Sequence, residues 1–313
     1  MTVAELATPT WVEPAYDDRE AVRALVRSHS PYPLMMSSAG YGEMAGEFCP
    51  PWFRSHWALD GVAVDDATRA LLHHEPFVDA TKQMLGVQVV RPTTLLVNLM
   101  GPQVAGARHV DTPSFRGLKR SEVPVWLLVV MGSSGLFEEW RVHVAGALAW
   151  FYDRDDGAYE YWPGGNRGVD APSESAHGPF GNVALVADND LMPHRVGAIG
   201  DADEFTSRVK VTNDAVITAS DDGAWTIAGS GTAPQRVDDQ EVRVSILWKA
   251  LTFVDAADAR RFDEHEDDLD VETIVRTLRD DLHGRGIAVD APDEPFSDPG
   301  WSRALTGTYI AAL

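Results

Sequence analysis

Along the first quarter of the chain, apolar residues recur at helical spacing. DDREAVRALVRSH, residues 17 to 29, carries them behind an acidic lead, and DDATRALLHHEPFVDATKQML, residues 65 to 85, repeats that character. Both stretches predict helices. From GVQVVRPTTLLVNLMG onward the texture changes to short runs rich in Val, Leu, Trp and Tyr, broken by Gly, Pro and Asp. The runs VPVWLLVVMG, RVHVAGALAWFY, GAYEYWPGG, NVALVADND, HRVGAIG, AVITAS, AWTIAG and EVRVSILWKALTF predict about eight or more strands. After residue 254 the pattern returns to helix in DAADARRFDEHEDDLDVETIVRTLRDDLHGRG, closed by Gly284 and Gly286. Without an internal repeat or linker, the economical reading is a single domain: a helical part over 1–89, a β core over 90–253 and a helical part over 254–313. The expected class is mainly β with helical flanks.

Composition narrows the partners. The chain has 313 residues, 44% of them hydrophobic and ten of them Trp, enough for a sizeable globular core. Its 48 acidic and 26 basic residues leave a formal net charge of −22. That charge repels a phosphate backbone and an anionic membrane surface, so nucleic acid and membrane are not expected partners. The start MTVAELATPTWVEPAYDD lacks a basic stretch followed by an apolar run, and no segment approaches the roughly 18 uninterrupted apolar residues of a membrane span. A cytoplasmic location is expected. The single cysteine, Cys49, has no intrachain disulfide partner and reads as a small semi-buried residue.

Candidate chemistry concentrates at GARHVDTPSF, residues 106 to 115. Residues i and i+2 of an extended segment project to the same side, so His109 and Asp111 can share a metal. A two-histidine, one-carboxylate site needs a third ligand and leaves the opposite face open for other ligands. GNVALVADNDLMPHRVGAIG offers one: an apolar strand, an Asp/Asn turn, then His194 opening another strand, 85 residues after His109. Competing sets are weaker. His265 and Asp267 fall in a helical run, where i and i+2 diverge by about 200°. His73 and His74 diverge likewise, and His29, His56, His177 and His283 have no partner at ligand spacing. His143 reads as a hydrogen-bonded barrel-lining residue or as a substrate contact.

The ordered set of His109-x-Asp111, the G-x-V-x-L-x-x-D-N run at 181 to 189, His194 and an Arg-x-Ser near the last core strand resembles the Fe(II)- and 2-oxoglutarate-dependent dioxygenases over roughly residues 90 to 253. The resemblance implies a double-stranded β-helix, the jelly roll shared with cupins, with His109, Asp111 and His194 holding Fe(II), and with 2-oxoglutarate and O2 as cosubstrates. It also implies a cation, often with a hydroxyl two residues on, for the outer carboxylate of 2-oxoglutarate. Arg243 with Ser245 is the favoured pair, 49 residues after His194, and it requires AVITASDDGAWTIAGSG at 215 to 231 to be an inserted hairpin. Arg208, 14 residues after His194, is the alternative, but it lacks the hydroxyl.

The implied reaction is oxidation, as hydroxylation, of a C–H bond in a small-molecule metabolite, with release of succinate and CO2, in the manner of phytanoyl-hydroxylase-like enzymes. Related halogenases lack the carboxylate, so Asp111 argues against halogenation; desaturation, ring closure and epimerisation stay open. In SFRGLKR, Arg116, Lys119 and Arg120 form a cationic cluster suited to an anionic substrate, with His143 as a further candidate contact. Two other classes stay open: a cupin-like metalloenzyme that does not use 2-oxoglutarate, and a non-catalytic jelly-roll binding protein. Substrate identity and oligomeric state stay open too.

Overall fold

The computed structural model of the protein describes residues 6–35, 49–119, 122–164, 172–290 and 292–310. The N-terminal part holds β1 (Thr10–Val12), α1 (Arg19–Ser28), β2 (Tyr32–Pro33), β3 (Trp52–Leu59), β4 (Val62–Ala63), α2 (Asp66–Leu72) and α3 (Glu75–Leu85). Then come β5 (Val89–Met100), β6 (Ser114–Phe115), α4 (Val125–Ser134), β7 (Arg141–Val142), β8 (Val144–Tyr152), β9 (Tyr159–Tyr161), β10 (Glu174–Ala176), β11 (Phe180–Ala187) and β12 (His194–Val196). An insertion of α5 (Ala202–Arg208), β13 (Val216–Ala219), β14 (Trp225–Ala228) and β15 (Gln235–Val237) precedes β16 (Arg243–Phe253). The chain then runs through α6 (Ala256–Asp263), α7 (Val271–Gly284) and α8 (Pro299–Tyr309).

Seven strands form an antiparallel sheet in the order β1-β11-β8-β16-β5-β3-β4, and three form a second in the order β10-β9-β12. Isolated bridges Gln103↔Ile199 and His109↔His194 add the segment after β5 to the second sheet, beside β12. The path therefore alternates: β5 in the large sheet, residues 103–109 in the second, β8 in the large, β9 and β10 in the second, β11 in the large, β12 in the second, β16 in the large. That is the double-stranded β-helix, the jelly roll. Between β12 and β16, the hairpin β13–β14 pairs with β15 and with β2 in a separate four-stranded sheet. The stretch at 215 to 231 is thus an inserted hairpin, as its sequence predicts.

Period-two alternation decides what each barrel strand shows to each side. On β16, Val244, Ile246, Trp248 and Ala250 join the main apolar cluster with Leu95, Val97 and Leu99 of β5 and with Val22, Val26 and Phe77 of α1 and α3. Arg243, Ser245, Leu247 and Lys249 take the opposite face, toward the second sheet. Trp248 anchors the outer layer, donating Nε1–H to the Leu72 carbonyl at 2.6 Å. Part of the acidity goes to helix caps: Asp18, Asp65, Asp201, Asp255, Asp270 and Asp298 each accept a backbone N–H in the first turn of a helix.

Two expectations need correction. VPVWLLVVMG is not a strand: Val125–Ser134 is a helix, entered at Pro124 and closed by Gly135 in the left-handed region at φ 67°. A run apolar on every face reads alike for a buried strand and a buried helix, and here Leu127, Leu128, Val130 and Met131 pack into a second core with Leu278 and Leu282 of α7 and Trp301 and Leu305 of α8. The first quarter is also less helical than its pattern predicts, since β1, β3 and β4 extend the large sheet at its two ends.

Candidate metal centre

His109 and His194 face each other across the second sheet through reciprocal backbone bonds, His109 N to His194 O at 3.0 Å and His194 N to His109 O at 2.8 Å. Their rings lie 4.5 Å apart, centre to centre. Asp111 is placed by its own N–H, which donates to the Asn189 carbonyl at 2.9 Å in the turn before β12. With the carboxylate 3.7 Å from His194 Nε2, a set of ligand atoms from His109, Asp111 and His194 lies within 4.8 Å of one another. Among the described residues, this is the metal-competent group of three.

The hydrogen bonds around the rings fix which nitrogen faces the centre. His109 Nδ1 is 3.0 Å from the Ala107 carbonyl and His194 Nδ1 is 3.0 Å from the Met192 carbonyl, so each Nδ1 donates to backbone and leaves Nε2 as the ligand atom. Burial pushes His194 down to about 4, with Asp111 opposing, so the ring is neutral and able to ligate at neutral pH. Burial pushes Asp111 up, but Lys249 and His194 more than offset it and hold the carboxyl at about 2, ionised. Around this set, Tyr159 lies tilted beside His194, ring centres 5.5 Å apart, and donates its hydroxyl to Asn189 Oδ1 at 2.8 Å. His194 is buried whereas His109 is exposed, which opens the set on the His109 side.

Of the two candidate cosubstrate cations, the structure puts Arg243 inside the barrel and Arg208 outside it. Arg243 is 0% exposed; its Nε donates to the Gly157 carbonyl at 3.0 Å, and its Nη2 is buried with no hydrogen-bond partner. Burial pushes it down to about 10, against the pull of Tyr152 and Asp156, so it stays charged at neutral pH. Ser245, also buried, follows on the same face. Arg208 lies on α5 with its guanidinium on Glu241 and within 3.5 Å of Glu204.

The three described candidate substrate residues, Arg116, Lys119 and His143, are not brought together around His109, Asp111 and His194. Arg116 is buried, with its guanidinium on Asp258 at 2.6 Å and Asp267 at 3.3 Å, tying the segment after β6 to the C-terminal helices. Lys119 is exposed, 3.4 Å from Glu122, on a cavity of ≈ 390 Å³ whose walls include Asp268, Asp270 and Phe296. Arg120 lies outside the described residues. His143 is exposed at the start of β8, its Nδ1 3.8 Å from Asp188 Oδ2, and so does not line the barrel.

Two neighbours of the site escape a motif-based reading. Lys249 Nζ stands 2.6 Å from Asp111 Oδ2. Asp190 is buried with both carboxylate oxygens lacking a hydrogen-bond partner, and burial pushes it up to about 8. Lys249 had a signal, since it is the one charge in the apolar run Val244–Phe253 and shares parity with Arg243.

No family model matches the chain, and no curated protein matches it. Similar solved structures include a 2OG-Fe(II) oxygenase family oxidoreductase from Burkholderia pseudomallei, 10% identical over 78% of this chain and 84% of that one, with a TM-score of 0.42. SnoN, a non-heme alpha-ketoglutarate-dependent epimerase from nogalamycin biosynthesis, is 14% identical over 78% of both chains, with a TM-score of 0.43. HygX from Streptomyces hygroscopicus, solved with nickel and 2-oxoglutarate, is 10% identical over 79% of this chain and 83% of that one, with a TM-score of 0.40. The class the chain's own fold and site define is a double-stranded β-helix with a two-histidine, one-carboxylate set at the end of its second sheet. Among the described residues, no helix is long and apolar enough to cross a membrane.

Proposed function

We propose that the protein is a non-haem Fe(II)- and 2-oxoglutarate-dependent oxygenase that hydroxylates a C–H bond of a small-molecule substrate, releasing succinate and CO2. The observation that carries the reading is the convergence of His109, Asp111 and His194 from two segments that pair across the second sheet. Two imidazoles and one carboxylate suit Fe(II) and leave half of its coordination positions for other ligands. The buried, unpartnered Nη2 of Arg243 supports 2-oxoglutarate as one of them, because a charged guanidinium left unsatisfied in a closed interior suits a carboxylate partner. A cupin-like enzyme without 2-oxoglutarate has no use for that group.

In this reading His109, Asp111 and His194 would hold the iron, and Arg243 with Ser245 would hold the outer carboxylate of 2-oxoglutarate. Iron and 2-oxoglutarate, once bound, supply the oxidation chemistry: one oxygen atom of O2 goes to the substrate C–H bond and the other to succinate. The chain's residues place and shield. The carbonyls of Ala107 and Met192 keep both Nε2 atoms turned inward. Trp150, Tyr159, Tyr161 and Phe180 pack together and keep bulk water from the barrel interior. The exposed side of His109 is the way in for substrate.

Anaerobic addition of Fe(II) and 2-oxoglutarate to the metal-free protein tests the reading through the visible metal-to-ligand charge-transfer band. The band should need both additions and be lost in His109→Ala. Iron binding without a band overturns the cosubstrate assignment in favour of the cupin-like reading, and no iron binding overturns the enzyme reading altogether.

A further inference from the structure

Lys249 is an odd residue to find at a cation site. It is carried by a strand whose other residues from Val244 to Phe253 are uncharged, and alternation turns it to the same face as Arg243 and Ser245. Its ammonium reaches Asp111 Oδ2 at 2.6 Å, while the other oxygen, Oδ1, lies on the His194 side, 3.7 Å from Nε2. Both partners are mostly shielded, the side chains 18% and 17% exposed. The two oxygens of one carboxylate are therefore divided between a fixed cation and the open metal position.

A positive charge this close to a metal ligand repels a divalent ion, so by charge alone Lys249 weakens the site. What it offers in return is geometry. A carboxylate free to rotate can chelate through both oxygens and take up a second coordination position, whereas one gripped at Oδ2 presents only Oδ1.

We propose that Lys249 is a positioning residue of the metal centre: its ammonium holds Asp111 Oδ2 in the loaded state, so that Asp111 binds the metal through Oδ1 alone and the open face keeps its free position. The inference rests on the metal-site reading above.

The test uses the full chain without oxygen, 2-oxoglutarate or substrate, with Co(II) as the probe, whose visible spectrum reports coordination number. Lys249→Met should weaken Co(II) binding by about tenfold or more, the effect of losing a group that orients a ligand, and should alter the visible bands. Lys249→Arg, which keeps charge and donors, should bind within about threefold of the wild type. If Lys249 only repels the metal, Lys249→Met binds Co(II) as tightly as the wild type or more tightly, and the proposal is overturned. Lysine acetylation of the wild type, read by mass spectrometry, avoids any folding defect in the variants. Lys249 should stay protected after Co(II) is added; exposure on metal binding means that the ion pair belongs to the metal-free protein alone. A wild type that takes up no Co(II) overturns the metal-site reading itself, a result distinct from either of these.

Discussion

If the proposed function holds, replacing Arg243 by Met should separate binding of the metal from binding of the cosubstrate. In the folded protein the guanidinium is fully buried, donates through Nε to the Gly157 carbonyl and keeps Nη2 without a partner. Met preserves much of the side-chain volume and removes the charge with all its donors. Truncating one member of a buried, hydrogen-bonded charge pair costs about 2–5 kcal/mol in binding. At 1.4 kcal/mol per factor of ten, that is a loss of roughly 30-fold to several thousand-fold in affinity for 2-oxoglutarate. Fe(II) affinity should change little, because Arg243 lies six positions before Lys249 on β16 and is not among the metal-ligating set. Anaerobic titration of 2-oxoglutarate into Fe(II)-loaded wild type and variant reads the charge-transfer band; titration of metal alone serves as the control. Ser245→Ala should lose far less, about 1 kcal/mol for one hydroxyl. An Arg243→Met variant that binds 2-oxoglutarate within threefold of the wild type would refute the reasoning and return the role to another cation.

The buried Arg116 makes a different prediction from the one its sequence context suggests. Arg116→Met should destabilise the fold by about 3 kcal/mol, the low end for breaking a buried pair because Arg261 also reaches Asp258, and should leave metal and cosubstrate binding intact; unchanged denaturation with lost substrate binding would restore its sequence-based role. Asp190 predicts a pH dependence. Its folded pKa, pushed up to about 8 chiefly by burial, exceeds the ordinary value near 4, so the native state keeps a proton that the unfolded chain releases. Its stabilising contribution is full below about pH 4 and is lost as pH rises toward about 8. His194, pushed down, acts with the opposite sign, its contribution lost as pH falls from about 6.5 toward about 4. Urea midpoints of the metal-free protein at pH 5, 6.5 and 8 should therefore fall less with pH in Asp190→Asn than in the wild type, and equal slopes would count against a protonated buried Asp190.

Much of the candidate site is legible in the chain because it rests on local geometry. Alternation on an extended segment places His109 and Asp111 on one side, the Asp/Asn turn announces that His194 opens a strand, and the same alternation puts Arg243 and Ser245 on one face. The inserted hairpin that separates Arg243 from His194 shows in its own turn residues. Other features depend on what packs against a segment, and no local pattern carries that. VPVWLLVVMG is a helix whose Leu127, Leu128, Val130 and Met131 pack with α7 and α8, a choice its uniformly apolar run leaves undecided. Arg116 looks like a free surface cation until Asp258 and Asp267, more than 140 positions later, close over it. Arg208 lies only 14 residues after His194 and yet sits on a surface helix, because the insertion carries it out of the barrel. Lys249 meets Asp111 only because the two sheets face each other, which brings residues 138 positions apart to 2.6 Å. Backbone alternation and turn chemistry, the same in any context, let the sequence by itself determine the candidate ligand set, His109, Asp111 and His194, and its order along the chain. The charge environment of those ligands was decided by the tertiary structure alone, because burial and electrostatic pairing are properties of the packed neighbourhood.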